Sequence, residues 1–297
     1  MTPWQQLPQA LWFARRGWVA LVVVRRGYGS SGGSPDTDHG GHCGARMRPE
    51  FESGGTYAAE DLRTAIDYAR SLPQVDDTHI VAAGVSSGGF ATVALTVNPP
   101  QGLVAAISFA GGRGSRADHD VCDAGDLIDA FRSYGKRSRV PMLWIYADND
   151  KFFWPELAQK FDQAFRAGGG MEEFVRAPAD GEDGHHLFYH WAAWSATVDA
   201  FLAAQKLAPL AGLLPEVEAP NIPPPAGLSE EGLHAFHNYL ILGPHKAFAM
   251  SADAFGMSTG RMTVEEAREK ALESCKHAEK SKEPCKVMFV DEIAVGP

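Results

Sequence analysis

The chain has 297 residues, of which 45% are hydrophobic, and its formal net charge is −10 at pH 7. The length suits one large domain or a domain with a small module, and the hydrophobic fraction is enough for a packed core. The acidic balance argues against a general nucleic-acid-binding protein. No uncharged apolar run is long enough to predict a membrane span, and residues 1–10 lack the basic and apolar regions of a signal peptide.

The first predicted elements are a helix and a buried strand. The helix covers Gln5–Arg15, and the unbroken run of β-branched residues in Trp18–Val24 is typical of a strand in a parallel sheet. Arg25–Gly33 follows as a loop at the carboxyl end of that strand, where open α/β sheets bind their ligands. Tyr28 in this loop is therefore either a substrate contact or a surface residue of a Gly/Ser turn. An amphipathic helix is predicted over Thr56–Leu72.

The polar segment Ser34–Ser53 contains side chains of the types that bind metal ions. These are Asp36, Asp38, His39, His42 and Cys43. Their spacing matches no known zinc pattern, and glycine-rich segments often carry polar residues without a metal. We expect no metal site.

The motif with the clearest chemical meaning is Gly84-Val-Ser-Ser-Gly88. It matches G-x-S-x-G, and it lies between a predicted strand and a predicted helix, which is the setting of a nucleophile elbow. We predict that Ser86 is the nucleophile and that the Ser87 N–H faces the developing oxyanion. The flanking glycines are expected to give room for the tight turn. The alternative is a structural Ser/Gly turn.

Three further strand–helix pairs follow the elbow. The strands are predicted at Leu103–Ala110, Val140–Ala147 and Glu172–Ala177, and the helices at Ala124–Tyr134, Pro155–Gly168 and Phe188–Leu202. Candidate acids, Asp148 and Asp150, follow the second of these strands, and candidate bases, His185 and His186, follow the third. The chain order serine, acid, histidine is the order found in α/β-hydrolases.

A serine hydroxyl needs a neighbouring imidazole as its base, and the imidazole needs a carboxylate to fix its tautomer. Asp150 is favoured over Asp148 because it lies further along the loop and can reach across the next strand end. His185 is favoured over His186 because it directly follows Gly184 in a tight turn.

Four segments together resemble the α/β-hydrolase superfamily: GVSSGG, YADND, DGHHLF and RRGYGSSGG. The resemblance covers Leu11–Leu202 and is greatest to dienelactone-hydrolase-like and prolyl-oligopeptidase-like serine hydrolases. It implies a doubly wound, mostly parallel sheet, a triad of Ser86, Asp150 and His185, and Ser87 N–H as an oxyanion donor, with no cofactor. Dienelactone hydrolases proper use a cysteine nucleophile, so the serine favours hydrolysis of carboxylic esters.

The sequence departs from that family at its amino end. In this fold a strand with an HG-type turn supplies the second oxyanion N–H, and Trp18–Val24 resembles the strand after it. We therefore expect the sheet to lack its first strands, as in a chain truncated at the amino end.

Beyond the predicted catalytic domain, residues 1–205, a Pro-rich linker covers residues 206–227 and a small α+β module covers residues 228–297. Ser229 is predicted to cap a helix through Leu240, and a capping box at Thr263 opens a second helix. Lys246–Met250 and Lys286–Val290 are predicted strands. We find no catalytic group of residues in this module.

The four cysteines suit either free thiols or two disulfides. The favoured pairs are Cys43 with Cys122, joining two loops that leave the sheet, and Cys275 with Cys285, which would staple a module with a small core. The resemblance to exported proteins supports disulfides and a periplasmic or secreted location. The alternative location is the cytoplasm.

The predicted function is hydrolysis of a small-molecule carboxylic ester through an acyl-enzyme on Ser86. Tyr28, Phe152 and Phe153 are the candidate substrate contacts. A peptidase or amidase would use the same triad chemistry. An inactive fold that serves as a binding protein is the non-enzymatic alternative, suggested by the missing strand.

Overall fold

The computed structural model describes residues 2–36, 50–207, 213–215, 218–278 and 283–295. These form two compact units. The first consists of Met1–Val24, Tyr28–Ser30 and Leu213–Pro297, and the second of Arg25–Gly27 and Ser31–Gly212. Within the described ranges, no helix has both the length and the apolar character needed to cross a membrane.

The elements are numbered along the chain. The helices are α1 (Leu7–Ala14), α2 (Phe51–Arg70), α3 (Ser87–Leu95), α4 (Ala124–Arg137), α5 (Pro155–Gly168), α6 (Trp191–Ala204), α7 (Glu230–Ile241) and α8 (Val264–Ala278). The strands are β1 (Ile80–Val85), β2 (Leu103–Phe109), β3 (Ser115–Ala117), β4 (Asp120–Val121), β5 (Met142–Ala147), β6 (Glu172–Ala177), β7 (Ala247–Met250), β8 (Phe255–Ser258), β9 (Lys286–Val290) and β10 (Ile293–Ala294).

The second unit is built on a parallel sheet with the strand order β1-β2-β5-β6. This confirms the predicted α/β-hydrolase architecture and its four strands after position 79. The carboxyl ends of parallel strands meet at one edge of a sheet, which is where such folds bind ligands. The elbow strand β1 lies at the end of this order, so in the described part of the chain it has a strand neighbour on one side only.

Helix α2 begins five residues before the predicted start at Thr56, and it runs through two glycines. A Cβ at Gly55 would lie 2.3 Å from the Tyr134 hydroxyl and 2.7 Å from the Phe90 ring. The Tyr134 hydroxyl also donates to the carbonyl of Glu52 at 2.9 Å. The glycines therefore allow α2 to approach α3 and α4 closely. The predicted helix, in contrast, begins only after these glycines.

The predicted strand Trp18–Val24 is wrong. These residues belong to no strand, and the Val19 and Leu21 side chains are 50% and 44% exposed. A β-branched run becomes a strand only when a neighbouring strand accepts and donates its backbone hydrogen bonds. No such partner is present for it among the described strands.

The first unit contains an antiparallel sheet with the order β10-β9-β7-β8. Helix α8 packs Ala267, Ala271 and Cys275 against this sheet, and the predicted disulfide Cys275–Cys285 is confirmed. Ser229 and Thr263 cap α7 and α8 as predicted, through bonds to the N–H groups three residues on. Strands β8 and β10 had no counterpart in the sequence prediction.

The amino-terminal residues belong to this first unit, although the sequence assigned residues 1–205 to the catalytic domain. The Thr2 hydroxyl donates to the carbonyl of Gly260, and the backbone of Trp4 lies close to the same glycine. Arg15 Nε donates to the carbonyl of Leu214 at 2.9 Å. These hydrogen bonds explain why the first helix clusters with the carboxy-terminal segment.

Strand β6 begins with Glu172, a carboxyl group whose pKa is raised. The Glu172 side chain is fully buried beside Asp162 and Arg166. Burial raises the pKa of Glu172 to about 8, and the hydrogen bond that protonated Glu172 donates to Asp162 adds to the rise, while the Arg166 guanidinium opposes it. Glu172 is therefore protonated in the folded protein over a pH range in which an unfolded glutamate is charged.

Two groups of predictions fall on residues 37–49, which lie outside the described residues. They are the Cys43–Cys122 disulfide and the metal-ligand candidates Asp38, His39 and His42. Within the described ranges, no group of three or more His, Cys, Asp and Glu side chains has a metal-binding arrangement.

Candidate active site

Ser86 lies in the turn between β1 and α3 with φ +55° and ψ −122°. A positive φ is strained for a residue with a side chain, and it persists only where the surroundings fix it. Here the Ser86 N–H donates to Phe109 O on β2 at 2.9 Å, and the Ser86 carbonyl accepts from Phe90 N and Gly112 N at 3.0 and 3.1 Å. The strained turn is thus held from both sides.

The glycines around the serine have different roles. A Cβ at Gly84 would lie 2.4 Å from the carbonyl oxygen of Gly88, and one at Gly89 would lie 2.8 Å from Ser108 Oγ. A Cβ at Gly88 would meet no atom within 4 Å. The tight turn therefore requires Gly84 and Gly89, whereas the sequence had assigned the steric role to Gly84 and Gly88.

The structure brings Ser86, His185 and Asp150 together. Ser86 follows β1, Asp150 follows β5, and His185 lies in the 3₁₀ turn Gly184–Tyr189 after β6. His185 Nε2 is 3.0 Å from Ser86 Oγ, and Nδ1 is 3.2 Å from each carboxylate oxygen of Asp150. His185 and Asp150 are 7% and 1% exposed. This is the connectivity that lets an imidazole accept a serine proton.

Asp150 is fixed by its own loop. Its Oδ1 accepts the N–H groups of Phe152 and Phe153, each at 2.9 Å, so the carboxylate has one orientation toward the histidine. The Phe152 ring is edge-on to His185, with the ring centroids 4.6 Å apart. Phe153 is 1% exposed and packs against His185 and Phe161 in the core. Phe152 and Phe153, the predicted substrate contacts, thus both contact His185, and Phe153 is itself a buried core residue.

The loop with Asp150 and the loop with His185 are joined by Asp183. Its Oδ1 accepts the N–H of His185 at 3.0 Å and the N–H of Lys151 at 3.1 Å. Partial burial acts to raise the pKa of Asp183, but these two backbone bonds outweigh it and the pKa is lowered. Asp183 therefore stays ionised and holds the two loops at a fixed separation. Sequence reasoning missed it, although an Asp two residues before a turn residue is a typical cap.

Gly184 and Asn149 complete this junction. A Cβ at Gly184 would lie 2.4 Å from both the Ala147 Cβ and Asn149 Oδ1. The Asn149 side chain donates to the carbonyl of Gly181 at 3.0 Å and accepts from Asp180 N at 2.9 Å. The two loops meet backbone to backbone because position 184 has no side chain.

The alternative candidates for the acid and the base make other contacts. Asp148 forms an exposed ion pair with Arg176, with 2.7 Å between the nitrogen and oxygen atoms. The exposed His186 ring lies beside His185, with 6.1 Å between the ring centroids. Tyr28 groups with the first unit, and its role in substrate binding stays a prediction.

Tyr146 packs under the site as a neutral donor. Its hydroxyl donates to Gly111 O at 2.5 Å, and burial, together with the charge of Asp150, raises its pKa well above the ordinary value. Gly111 precedes Gly112, whose N–H binds the Ser86 carbonyl. The tyrosine thus supports the turn that holds the elbow.

Ser87 is the first residue of α3, so its N–H has no intrahelical acceptor, and its role as an oxyanion donor stays a prediction. The Ser87 hydroxyl accepts a hydrogen bond from Arg25 at 2.8 Å. Asp36, one of the metal-ligand candidates, pairs instead with Arg25 and Arg113 at 2.9 and 2.8 Å. Sequence analysis missed both arginines, because a buried arginine in a loop has no local pattern.

A family model matches more than half of the chain. The model of a family described as the dienelactone hydrolase family matches residues 9–178. No curated protein matches the sequence. Among solved structures, the Pyrococcus furiosus esterase Pf2001 is similar with a TM-score of 0.48 and 15% identity, over 67% of this chain and 75% of that chain.

Two further solved structures are similar at 18% identity. A candidate dienelactone hydrolase from Klebsiella pneumoniae subsp. pneumoniae MGH 78578 has a TM-score of 0.38 over 51% of this chain, and a candidate dipeptidyl aminopeptidase IV from Bacteroides ovatus ATCC 8483 has a TM-score of 0.37 over 48%. The matches span 61% and 22% of those two proteins.

Proposed function

Because the chain belongs to the dienelactone hydrolase family, we propose that it is a serine hydrolase that cleaves carboxylic esters through Ser86, His185 and Asp150. The observation that supports this most directly is the connected pair of contacts at the histidine. Nε2 lies 3.0 Å from the serine oxygen, and Nδ1 lies 3.2 Å from a buried carboxylate. A serine at the elbow, in place of the cysteine of dienelactone hydrolases proper, favours esters as substrates.

In the acylation step the Ser86 oxygen attacks the ester carbonyl carbon while His185 Nε2 accepts the serine proton. The carbonyl π electrons move to oxygen, and the Ser87 N–H at the start of α3 stabilises the resulting oxyanion. The tetrahedral intermediate then collapses, the carbon–oxygen bond to the alcohol breaks, and His185 gives its proton to the departing oxygen. The acyl group remains as an ester of Ser86.

In the deacylation step a water molecule takes the place of the alcohol. His185 removes a proton from the water as it attacks the acyl carbon, and the same proton returns to Ser86 when the acid leaves. Asp150 stabilises the imidazolium in both steps and keeps its own charge. The N–H groups of Phe152 and Phe153 on its Oδ1 hold the carboxylate in one orientation toward the histidine.

The proposal is tested with p-nitrophenyl acetate and p-nitrophenyl butyrate, comparing the wild type with Ser86→Ala. We expect ester turnover by the wild type, a loss of at least about 1,000-fold in the variant, and fluorophosphonate labelling that mass spectrometry maps to Ser86. Ser71→Ala, at an exposed position on the same unit, is the matched control and should retain full activity.

A p-nitroanilide with the same acyl group distinguishes an esterase from an amidase. Faster turnover of the anilide than of the ester would replace the ester proposal by the amidase alternative. Absence of both turnover and labelling in folded protein would refute the hydrolase proposal and favour a binding protein.

A further inference from the structure

The Ser87 side chain makes a contact that the oxyanion role of its backbone does not require. Arg25 Nη2 donates to Ser87 Oγ at 2.8 Å, and Nη1 of the same guanidinium pairs with Asp36 at 2.9 Å. Arg113 holds the same Asp36 oxygen at 2.8 Å. The side chains of Arg25, Asp36 and Arg113 are 10%, 3% and 8% exposed. A guanidinium is therefore fixed in place one residue from the proposed nucleophile.

A serine hydroxyl has one proton and two acceptor lone pairs. The bond from Arg25 uses a lone pair, because a guanidinium can only donate. The Ser87 proton must therefore point elsewhere, and its Oγ has no acceptor for that proton within the part of the chain that the structure describes. A buried cation on one side of the hydroxyl directs its proton to the other side.

An oxyanion held by the Ser87 N–H lies within reach of that proton. The nitrogen and Oγ of one serine are separated by only two carbon atoms, so both can donate to the same oxygen. The hydroxyl is also a stronger donor than usual, because a charge-assisted bond from Arg25 polarises it.

In α/β-hydrolases the oxyanion receives more than one hydrogen bond, and one of them comes from the N–H of the residue after the nucleophile. The Ser87 hydroxyl would give a further hydrogen bond to the same oxygen.

We propose that Ser87 provides two oxyanion donors, its backbone N–H and its hydroxyl, and that Arg25 is a positioning residue that orients and polarises the hydroxyl. Asp36 and Arg113 keep the guanidinium in place. The inference rests on the proposed function, because it concerns the transition state of the same reaction.

The test measures kcat and KM for p-nitrophenyl acetate in Ser87→Ala, Ser87→Thr, Arg25→Met and the double variant Arg25→Met/Ser87→Ala. Losing one oxyanion donor lowers kcat by about 100-fold, and KM should stay within about threefold because the ground state does not use the bond. Ser87→Thr keeps the hydroxyl and should recover most of the loss. A trifluoromethyl ketone, which forms a tetrahedral adduct, should bind Ser87→Ala more weakly by a similar factor.

Arg25 acts through the hydroxyl, so its effect depends on Ser87. Arg25→Met should lower kcat by about 10-fold alone and by less than about twofold in the Ser87→Ala background. The matched control is Arg132→Met, at an arginine that is 44% exposed and pairs with Asp129. Thermal unfolding of each variant confirms that the fold is intact.

The inference is overturned if Ser87→Ala keeps kcat within threefold of the wild type, or if the Arg25 and Ser87 effects multiply. Either result in an active, labelled wild type leaves the proposed function standing. A wild type with neither ester turnover nor labelling on Ser86 removes the proposed function, and this inference with it.

Discussion

Gly184→Ala tests whether the triad depends on the close approach of its two loops. The new Cβ would lie 2.4 Å from both the Ala147 Cβ and Asn149 Oδ1. Ordinary carbon–carbon contacts are about 3.5–4.0 Å, so the loop with His185 has to retreat by about 1 Å. The His185 contacts with Ser86 and Asp150, at 3.0 and 3.2 Å, would then exceed hydrogen-bond distance.

A misplacement of about 1 Å in catalytic groups lowers the rate by about 100-fold. Overpacking also lowers the free energy of unfolding by about 1–3 kcal/mol. We expect Gly184→Ala to fold, to lose about 100-fold in kcat for p-nitrophenyl acetate and to keep its KM. The assay pairs steady-state kinetics with thermal unfolding.

The matched control is Gly32→Ala. A Cβ at Gly32 meets no atom within 4 Å, so this variant should keep both its activity and its stability. A folded Gly184→Ala protein with kcat within threefold of the wild type would show that the loop separation does not set the geometry of the triad.

Three further predictions concern single side chains. Asp150→Asn should lower kcat by up to about 10⁴-fold, and Asp148→Asn should leave it within about twofold because that carboxylate forms a surface ion pair. A larger loss in Asp148→Asn than in Asp150→Asn would reverse the choice of acid. The pKa of Glu172 is about 8 in the folded protein against an ordinary 4.5, so the folded state binds the extra proton between these values. The stability from this group is complete below about pH 4.5 and is lost as the pH rises to about 8. Glu172→Gln should abolish that loss in denaturant titrations, and parallel pH dependence in both proteins would contradict the assignment. Cys275→Ser removes a bridge between residues 10 positions apart and should lower the free energy of unfolding of its unit by about 2–3 kcal/mol. Dithiothreitol should destabilise this unit in the wild type and not in the variant.

The parts of the fold that the sequence predicts correctly are those that depend on local signals. The elbow, β5 and α5 each carry their own pattern: a G-x-S-x-G turn, an apolar strand, and an amphipathic helix with Pro155 at its first position. The disulfide between Cys275 and Cys285 could also be predicted from the sequence. One cysteine lies near the end of a predicted helix and the other just before a predicted strand, and the two are close in the chain.

The errors arise where a tertiary contact decides the outcome. Trp18–Val24 has a strong strand pattern, but a strand also needs a neighbour to bond, and that neighbour is not encoded within the segment. At Gly55 the local signal disfavours the element that the structure contains. A glycine usually weakens a helix by about 1 kcal/mol, but this one allows α2 to contact Tyr134 and Phe90, which lie far away in the sequence.

The candidate site divides in the same way. The proposed triad of Ser86, Asp150 and His185 follows from the order of strand ends along the chain, because the chemistry requires one residue of each type at one sheet edge. The contacts that orient them have no such order. Arg113 meets Asp36 across 77 residues of sequence, and Asp183 meets Lys151 across 32. Each is an ordinary loop residue until the fold places a partner beside it, so motifs predict which groups react and only the structure shows what fixes their positions.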